Sequence, residues 1–426
     1  MNFREKRFLI TQPMIHGLAG STMATLELAE YLQSQGTQVS VYTYFYDFPA
    51  REFFEQKKID VKTFADNPEY SLRDFDYIWV HSQVLPVAII RGLARKLPAK
   101  MPKFIFFHMS KFDWIPDEMP YIWDLEEKIS AQSFAISDEI IQETKACYNA
   151  DFSLKLLRNF APANFAKFKY SPRQNLRKIL IASNHPPEEI LALREILAGK
   201  NIKTVLLGET GEEYKIITPE FLASFDAVVT IGKTVQYCLA MNVPVYVYDW
   251  FGGGGYLNDE NFAGMRERNF SGRDQPERQS AEFLANDIIS RYTEAVKYQT
   301  KNHAKFVREF SIDQVLPEIF ADIKSRKIEQ FDKKYLNMVI NVQRLAQIRF
   351  EFGGHLWNRD REIRSLRKEI NEMRGVFDSS ENLTRENDRL KNQLRKLENS
   401  KSFKLGQVII KPAHCAKRIV KKILHQ

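Results

Sequence analysis

Short runs of apolar, β-branched and aromatic residues recur along the chain as far as about residue 325, and segments with helical spacing lie between most of them. Unbroken apolar runs predict strands that are buried on both faces, and their alternation with helices predicts a parallel sheet covered by helices. The predicted strands of a first series are 7–11, 38–44, 59–64, 77–81, 104–108, 133–137 and 154–158.

A polar stretch from Pro162 to Asn175, which contains two prolines, predicts a linker between this series and a second one. We therefore expect two Rossmann-like doubly wound α/β domains at 1–170 and 171–300, return helices at 301–345, and a cleft between the strand ends. The predicted strands of the second series are 178–182, 204–207, 227–231 and 244–248.

The stretch 225–256 is the most informative for function, because it has the pattern of a strand, a tight turn, a helix and a parallel strand. Ligands of open α/β sheets bind at the carboxyl ends of the strands, where the turn at Lys233 and the loop after Asp249 fall. The helix start exposes unpaired N–H groups and Lys233 adds a full positive charge, so this edge suits a phosphate. We assign ten residues to this site, as the site for a phosphate-containing donor substrate. They are Gly232, Lys233, Thr234, Asp249, Gly252, Gly253, Gly254, Gly255, Tyr256 and Arg273.

Each of these features also has a purely structural interpretation. The glycine of the turn can simply close it and the lysine can be solvated, and the absence of an upstream glycine at the Walker-loop spacing argues against an NTPase. The four consecutive glycines after a buried strand predict close backbone approach to a ligand or a mobile flap. Arg266, Arg268 and Arg273 are suited to bidentate phosphate contacts, with a solvated basic helix as the alternative.

In the first domain, a glycine-containing loop joins the first strand to a helix predicted at 21–35, with Ser21 as its N-cap. This loop and the ends of neighbouring strands fall at one edge of the predicted sheet, the edge at which ligands bind. We assign four residues of this edge to the binding of the second substrate, the acceptor of the transferred group. They are His16, Gly17, Gly20 and His81.

His108 ends a very apolar strand, so its side chain is expected at the strand end that faces the cleft. Asp113 and Asp117 follow in an aromatic loop and are candidates to deprotonate an acceptor hydroxyl group. We assign His108 and Asp113 as the catalytic residues. A histidine that is satisfied in the core or at the rim is the competing interpretation for His108 and His81.

The composition is that of a globular protein, with 44% hydrophobic and 12% aromatic residues in a chain of 426. The three cysteines, Cys147, Cys238 and Cys415, lack metal-ligand or redox spacing, which favours a reducing compartment. The apolar residues near the N-terminus are too few for a signal peptide, and no apolar run approaches the ~20 residues of a membrane-spanning helix. We expect a cytoplasmic protein.

From Ser325 the chain changes to long polar segments, and a coiled coil is predicted at 346–400. Apolar residues recur there at alternating spacings of three and four, and Asn387 occupies a position that sets the register of two-stranded coils. The pattern predicts a homodimer, with an amphipathic helix folded against the body as the alternative. The seam residues are Ile363, Leu366, Ile370, Met373, Phe377, Leu383, Leu390, Leu394 and Leu397.

The tail 401–426 combines apolar residues with seven Lys or Arg, and no acidic residue follows Glu398. Such a segment suits an anionic bilayer surface, where each basic side chain contributes about 1 kcal/mol. Nucleic acid is the rival partner, but the sequence has neither basic–aromatic interleaving nor a nucleic-acid-binding motif. We therefore expect a position at the inner face of the cell membrane and no nucleic-acid partner.

Several loose motifs follow one another in a specific order. They are Ile15-His16-Gly17-Leu18-Ala19-Gly20 with Leu26-Glu27-Leu28-Ala29, Phe106-Phe107-His108, Ala135-Ile136-Ser137, Arg158-Asn159 and the unit from Gly232 to Asp249. In this order, over about residues 5–325, they resemble GT-B glycosyltransferases of the family 4 type. The resemblance implies an acceptor domain followed by a nucleotide-sugar donor domain, and a donor-sugar contact for His108.

The chain departs from that family in its donor domain. Retaining members carry a Glu-x7-Glu pair, whereas the position that matches the second glutamate is Tyr237, and no glutamate lies between Phe221 and Asp259. The carboxylate of that glutamate is therefore absent or is supplied by another residue, with Asp249 as the candidate. Retention and inversion of the sugar's anomeric configuration both stay open. The predicted donor domain, 171–300, also has no Asp-x-Asp pair, so metal dependence is not indicated.

These observations predict a metal-independent glycosyltransferase of cell-surface polysaccharide synthesis. It would move a hexosyl or deoxyhexosyl group from a nucleotide sugar to a lipid-linked glycan, without a cofactor. One alternative is a sugar-nucleotide epimerase or polyol-phosphate transferase on a similar fold. Another is a non-catalytic degenerate transferase that recruits partners through the coiled coil. The missing Glu pair favours this scaffold, whereas the Gly-Lys-Thr turn and the glycine run favour the transferase.

Overall fold

The structure of the protein is a computed structural model that describes residues 3–110, 121–149, 151–376 and 382–405. The chain divides into two compact units between Gln343 and Arg344, and the first unit contains both predicted sheets. The predicted fold class, two Rossmann-like domains followed by a helical extension, is confirmed.

The first sheet has seven strands, which all pair in parallel. The strands are β1 (Arg7–Ile15), β2 (Gln38–Tyr46), β3 (Asp60–Thr63), β4 (Tyr77–His81), β5 (Lys103–His108), β6 (Ser130–Ala135) and β7 (Leu154–Leu156). Their order is β3-β2-β1-β4-β5-β6-β7, so the order reverses between β1 and β4. Reversals of this kind are where open α/β sheets bind ligands.

Six helices accompany the first sheet, and one of them follows the second sheet in the sequence. They are α1 (Gly20–Ser34), α2 (Ala50–Gln56), α3 (Val87–Gly92), α4 (Trp123–Ile129), α5 (Asp138–Thr144) and the returning helix α13 (Ile312–Asp322). We call residues 3–160 and 312–343 the first lobe. Helix α1 begins one residue earlier than predicted with Ala19 as its N-cap, so the prediction of Ser21 as the cap is wrong.

The second sheet has five strands in the order β12-β11-β10-β8-β9, and the reversal here lies between β8 and β10. The strands are β8 (Lys178–Ala182), β9 (Lys203–Leu207), β10 (Ala227–Thr230), β11 (Val245–Asp249) and the antiparallel β12 (Gly252–Tyr256). The helices are α6 (Ala163–Lys167), α7 (Glu188–Gly199), α8 (Pro219–Leu222), α9 (Lys233–Met241), α10 (Phe262–Glu267), α11 (Ala281–Ser290) and α12 (Tyr292–Phe310). We call residues 161–311 the second lobe.

The chain crosses between the lobes twice at nearly the same point. Ala161, on the way out, pairs with the returning chain: its N–H donates to the Phe310 carbonyl at 2.6 Å, and its carbonyl accepts from Ile312 N–H at 2.9 Å. After this point Leu316 and Phe320 of α13 enter the core of the first lobe. The stretch predicted as a polar linker contains α6, whose Phe165 belongs to the core of the second lobe.

The second unit consists of most of α14 (Lys333–Val376) together with α15 (Asn382–Glu398). Arg367 Nη2 lies 3.0 Å from Glu398 Oε1, so the end of α15 lies beside the last quarter of α14. Within the single chain Ile363, Ile370 and Leu390 of the predicted seam are already buried, and Phe377 lies outside the described residues. Homodimerisation therefore stays a prediction. No helix in the described part of the chain is long and apolar enough to cross a bilayer.

Candidate functional site

The starts of two helices, one from each lobe, face each other. Helix α1 follows β1 and helix α9 follows β10, so both begin at the carboxyl edge of a sheet. A Cβ built on Gly20 would lie 3.8 Å from the Cβ of Lys233, and the N–H of Leu18 donates to the Tyr214 hydroxyl oxygen at 2.8 Å. The ligand-binding edges of the two sheets are therefore opposed, and we call the space between them the crevice.

Lys233 is buried where the lobes meet and is bound by Glu27 of α1. Its Nζ lies 2.7 Å from Glu27 Oε2, and the two side chains are 6% and 4% exposed. The same Nζ donates to the Phe160 carbonyl at 2.9 Å, and the rings of Phe160 and Tyr237 lie 5.2 and 5.4 Å from it. This corrects the prediction that Lys233 offers its charge to a phosphate, because a carboxylate of the other lobe already neutralises it.

Tyr237 of α9 completes this cluster. Its hydroxyl donates to Glu27 Oε1, and its ring stacks on Phe165 with centroids 4.6 Å apart. Burial and the neighbouring charge of Glu27 hold the pKa of Tyr237 well above its usual value, so the hydroxyl stays a donor. Burial also raises the pKa of Glu27, and Lys233 opposes that rise. The three side chains join the lobes.

Three residues lie at the carboxyl ends of the neighbouring strands β8, β10 and β11, where the strand order of the second sheet reverses. Ser183 follows β8, and its hydroxyl donates at 2.8 Å to Oδ1 of Asp249, the last residue of β11. Gly232 follows β10 and is the N-cap residue of α9. Its φ of 62° favours glycine. A Cβ on Gly232 would meet no atom within 4 Å. We call Ser183, Gly232 and Asp249 the switch-point recess.

Asp249 gives this recess a pH-dependent charge. Burial raises the pKa of Asp249 to about 6, and the hydrogen bond from Ser183 acts in the opposite direction. The carboxyl group is therefore ionised at neutral pH and can accept hydrogen bonds from hydroxyl groups. Thr234, two residues after Gly232 in the first turn of α9, is half-buried.

Gly252 to Gly255 lie in β12, an edge strand paired with β11, and do not form a loop over a ligand. A Cβ on Gly253 would lie 2.0 Å from the carbonyl oxygen of Val247, so the close backbone approach is to the protein itself. Tyr256 is buried in the core of the second lobe, with its ring 5.1 Å from that of Tyr246. This corrects the assignment of the four glycines and Tyr256 to the donor site.

The arginines after the glycine run are engaged differently. Arg273 Nη2 lies 2.9 Å from Oε2 of Glu139, a residue of the first lobe, so this guanidinium spans the crevice. Arg266 pairs with Glu309 at 3.1 Å within the second lobe. Arg268 donates to the Arg273 carbonyl at 2.7 Å. Of these three arginines, Arg273 forms an ion pair with a carboxylate of the opposite lobe.

His81 lies inside the first lobe. Trp79 Nε1 donates to His81 Nε2 at 2.8 Å, so the proton is on Nδ1, which lies 2.9 Å from Gln12 Oε1. Burial lowers the pKa of His81 to about 3, and the charge of Lys233 acts in the same direction, so the imidazole is neutral. This corrects the assignment of His81 to the acceptor side, because the side chain points into the core.

The other residues assigned to the acceptor side lie at the carboxyl end of β1. His16 is half-buried, and its ring packs edge-to-face on Phe45 with centroids 5.9 Å apart. Gly17 is buried, whereas Gly20 is exposed and forms the first turn of α1. Their role towards an acceptor stays a prediction.

His108 belongs to a buried polar cluster centred on Glu126 of α4. Glu126 Oε1 lies 3.1 Å from His108 Nε2 and accepts from the Ser133 hydroxyl at 2.6 Å. Its Oε2 accepts from Gln83 Nε2 at 2.6 Å and from the Tyr148 hydroxyl at 2.9 Å. A carboxylate at Nε2 fixes the proton of the neutral imidazole on that nitrogen. An imidazole oriented in this way is suited to exchange a proton with a hydroxyl group. Asp113 and Asp117 lie outside the described residues.

Sequence reasoning missed Glu27, Glu126 and Ser183. The two glutamates do leave a signal, because each stands among apolar residues on a helix face that is buried in the structure. A charged residue in such a place needs a partner, and this indicates a buried ion pair or hydrogen-bonded cluster. Ser183 has no such signal, since a serine after a strand is common in turns.

Neither the models of protein families nor the curated protein sequences that we compared with the chain give a match. Among solved structures, the chain is similar to Anabaena Alr3699/HepE in complex with UDP and glucose, at 13% identity and a TM-score of 0.47, covering 74% of this chain and 99% of that one. It is similar to a glycosyltransferase from Rickettsia africae at 12% identity and a TM-score of 0.47, covering 74% and 97%. It is similar to Acinetobacter baumannii MurG at 10% identity and a TM-score of 0.41, covering 75% and 99%. The likeness is one of fold.

Proposed function

We propose that the protein is a glycosyltransferase that binds a nucleotide-sugar donor at the switch-point recess and an acceptor on the first lobe. The observation on which this proposal rests is the position of the recess. It lies at the strand-order reversal of the second sheet, and that edge is opposed to the carboxyl edge of the first sheet. Such reversals bind ligands in doubly wound sheets, and two opposed edges offer room for two substrates.

On the donor side, the open face of Gly232 and the first amides of α9, with Thr234, receive the diphosphate. Asp249, held by Ser183, accepts hydrogen bonds from ribose or sugar hydroxyls. Lys233 is neutralised by Glu27, so Arg273 supplies the positive charge that a departing diphosphate requires. Its guanidinium exchanges Glu139 for phosphate oxygens, which it can bind bidentately.

On the acceptor side, His108 oriented by Glu126 takes part in proton transfer from the acceptor hydroxyl, together with Asp113. His16, Gly17 and Gly20 line the acceptor side at the start of α1. The reaction needs no metal in this proposal. The acceptor is a lipid-linked glycan of surface polysaccharide synthesis at the cytoplasmic face of the membrane, and the transferred group is a hexosyl or deoxyhexosyl unit.

Thermal-shift titration with UDP, GDP, CDP and dTDP sugars tests the donor site. One of them is expected to raise the melting temperature, and Ser183→Ala is expected to weaken its binding roughly tenfold, since a buried hydrogen bond is lost. Ser224→Ala is the matched control, because this serine lies at the opposite, amino edge of the same sheet and its hydroxyl donates to a backbone carbonyl. The absence of any shift across the panel rejects the proposal. Sugar-nucleotide hydrolysis that persists in EDTA supports metal-independent transfer.

A non-catalytic scaffold is the second candidate, and one observation favours it. The cation that the turn offers to a phosphate is buried against Glu27. In this case no nucleotide sugar shifts the melting temperature, while the chain still associates with partners through its helical extension. An epimerase or polyol-phosphate transferase is separated from the transferase by product analysis, because neither leaves a free nucleoside diphosphate together with a glycosylated acceptor.

A further inference from the structure

Positive charge is concentrated at one end of the first lobe. The segments 91–103 and 323–331 together contain eight basic residues and a single acidic residue, Glu329. All of the basic residues except Lys103 are exposed. We call the seven exposed ones the basic edge. They are Arg91, Arg95, Lys96, Lys100, Lys324, Arg326 and Lys327.

The two segments lie side by side, although they are far apart in the sequence. At one end, the N–H of Phe331 donates to the Leu93 carbonyl at 3.0 Å. At the other end, Lys103 Nζ donates to the Ile323 carbonyl at 2.5 Å. The segments therefore run antiparallel to each other, and their basic residues belong to one surface.

This surface lies where three neighbouring strands of the first sheet begin. Lys103 opens β5, and its N–H donates at 2.9 Å to the carbonyl of Asp76, the residue before β4. Arg326 Nη1 donates at 3.4 Å to the carbonyl of Ser130, the first residue of β6. Strands β4, β5 and β6 are parallel neighbours, so the basic edge lies at the amino edge of the sheet, opposite to the edge that faces the crevice.

Little of this charge is neutralised by the protein. Lys100 pairs with Asp76, yet the Lys100 side chain is 76% exposed. The other six residues of the basic edge form no ion pair with any residue that the structure describes. Burial and the charge of Lys100 lower the pKa of Lys103, as expected where positive charges are close together. A dense patch of one sign attracts partners of the opposite sign.

We propose that the basic edge is a docking surface for an anionic lipid bilayer. The starts of three adjacent strands, about 4.8 Å apart, extend over about 10 Å, and a bilayer offers a plane of negative charge to all the basic side chains around them at once. The half-buried Leu97 and Met101 lie between basic residues in the sequence. Such a mixture of apolar and basic side chains suits the headgroup boundary.

The make-up of the basic edge favours a bilayer over other partners. The segment 91–103 has no aromatic residue on which a base could stack. Phe331, the aromatic residue of the other segment, already stacks on Tyr335 with ring centroids 5.8 Å apart. The segment 323–331 is neither a helix nor a strand that could enter a groove of nucleic acid. A second copy of the same surface would bring like charges together.

Vesicle flotation of the full chain tests this inference, which does not depend on the proposed transferase activity. Phosphatidylcholine vesicles are compared with vesicles that also contain phosphatidylglycerol, and the wild type is expected to float with the anionic vesicles only. Arg95→Gln/Lys96→Gln is expected to lower the partition coefficient about fivefold for each charge removed. The matched control, Lys200→Gln/Lys203→Gln, removes the same charge from exposed lysines of the second lobe and is expected to bind as the wild type does.

A second pair of substitutions, on the other segment, makes the test independent of either segment's folding. Lys324→Gln/Lys327→Gln is expected to lower the partition coefficient by the same factor, because both lysines belong to the same surface. Thermal melting shows whether each variant is folded, and the exposed positions are expected to leave the melting temperature unchanged.

Three outcomes overturn the proposal. The first is no flotation of the wild type with anionic vesicles. The second is flotation of both folded variants equal to that of the wild type, which assigns membrane binding to the tail 401–426. The third is a loss of oligonucleotide binding in both variants, measured by fluorescence anisotropy, with unchanged flotation, which makes the basic edge a nucleic-acid surface.

Discussion

Removal of the Lys233 ammonium is the perturbation that most directly tests how the two lobes are joined. Lys233→Met keeps an unbranched apolar side chain and removes the charge. The carboxylate of Glu27 is then left buried, with the Tyr237 hydroxyl as its remaining partner among the three side chains of the cluster. Glu27→Leu/Lys233→Met removes both charges and fills the space with apolar groups.

The expected magnitude follows from the burial of the pair. The two side chains are 6% and 4% exposed and their charged atoms lie 2.7 Å apart, so water cannot take the place of either partner. Removing one partner of such a pair costs about 3–5 kcal/mol, whereas replacing both with apolar groups is often close to neutral. In the double variant the Tyr237 hydroxyl loses its acceptor, which costs about 1–3 kcal/mol. The double variant is therefore expected to be more stable than Lys233→Met.

Urea unfolding followed by tryptophan fluorescence measures these free energies. Lys301→Met is the control, because Lys301 and Asp259 are 3.6 Å apart with side chains 72% and 76% exposed, and such pairs are worth about 0–1 kcal/mol. A loss of less than about 1 kcal/mol for Lys233→Met would refute the reasoning. If that variant also lost nucleotide binding, the ammonium would serve a phosphate after all.

Three further predictions concern single positions. Gly253→Ala is expected to destabilise the protein by about 1–3 kcal/mol in the same urea unfolding assay, because its Cβ would lie 2.0 Å from a carbonyl oxygen. Gly199→Ala has open space around its Cβ and is expected to be neutral. Asp249 has a folded pKa of about 6, raised by burial from 3.8, so the stability that its protonated form contributes is lost as pH rises through this window. As the pH rises from 3.8 to about 6, Asp249→Asn is therefore expected to gain stability relative to the wild type, and it keeps that gain at higher pH. Parallel profiles of unfolding free energy against pH for the two proteins would contradict this. Glu126→Ala is expected to cost at least about 2 kcal/mol, because it leaves several buried donors without an acceptor, and the exposed Glu318→Ala serves as its control.

Much of the fold was predictable from the chain because its strands are unbroken apolar runs. Strands such as β5 are buried on both faces, and this leaves a pattern that needs no knowledge of the neighbours. The same holds for the turn at Gly232, whose positive φ favours glycine, and for its place at the carboxyl edge of a sheet. The strand β12 was missed, because a run of glycines has no side-chain pattern and is permitted only by the backbone that packs against it.

The candidate site depended on contacts that no local pattern records. The position of Lys233 after a strand was predictable, but its partner Glu27 comes from the other lobe and decides that the ammonium is neutralised. His81 and His108 both end apolar strands, yet the core takes the first and a glutamate orients the second. Local polarity and chain direction are enough to predict the strands, their alternation with helices and the sheet edge at which ligands bind. Which charges are paired depends on which distant side chains are buried together, and the packing of the folded chain alone fixes that.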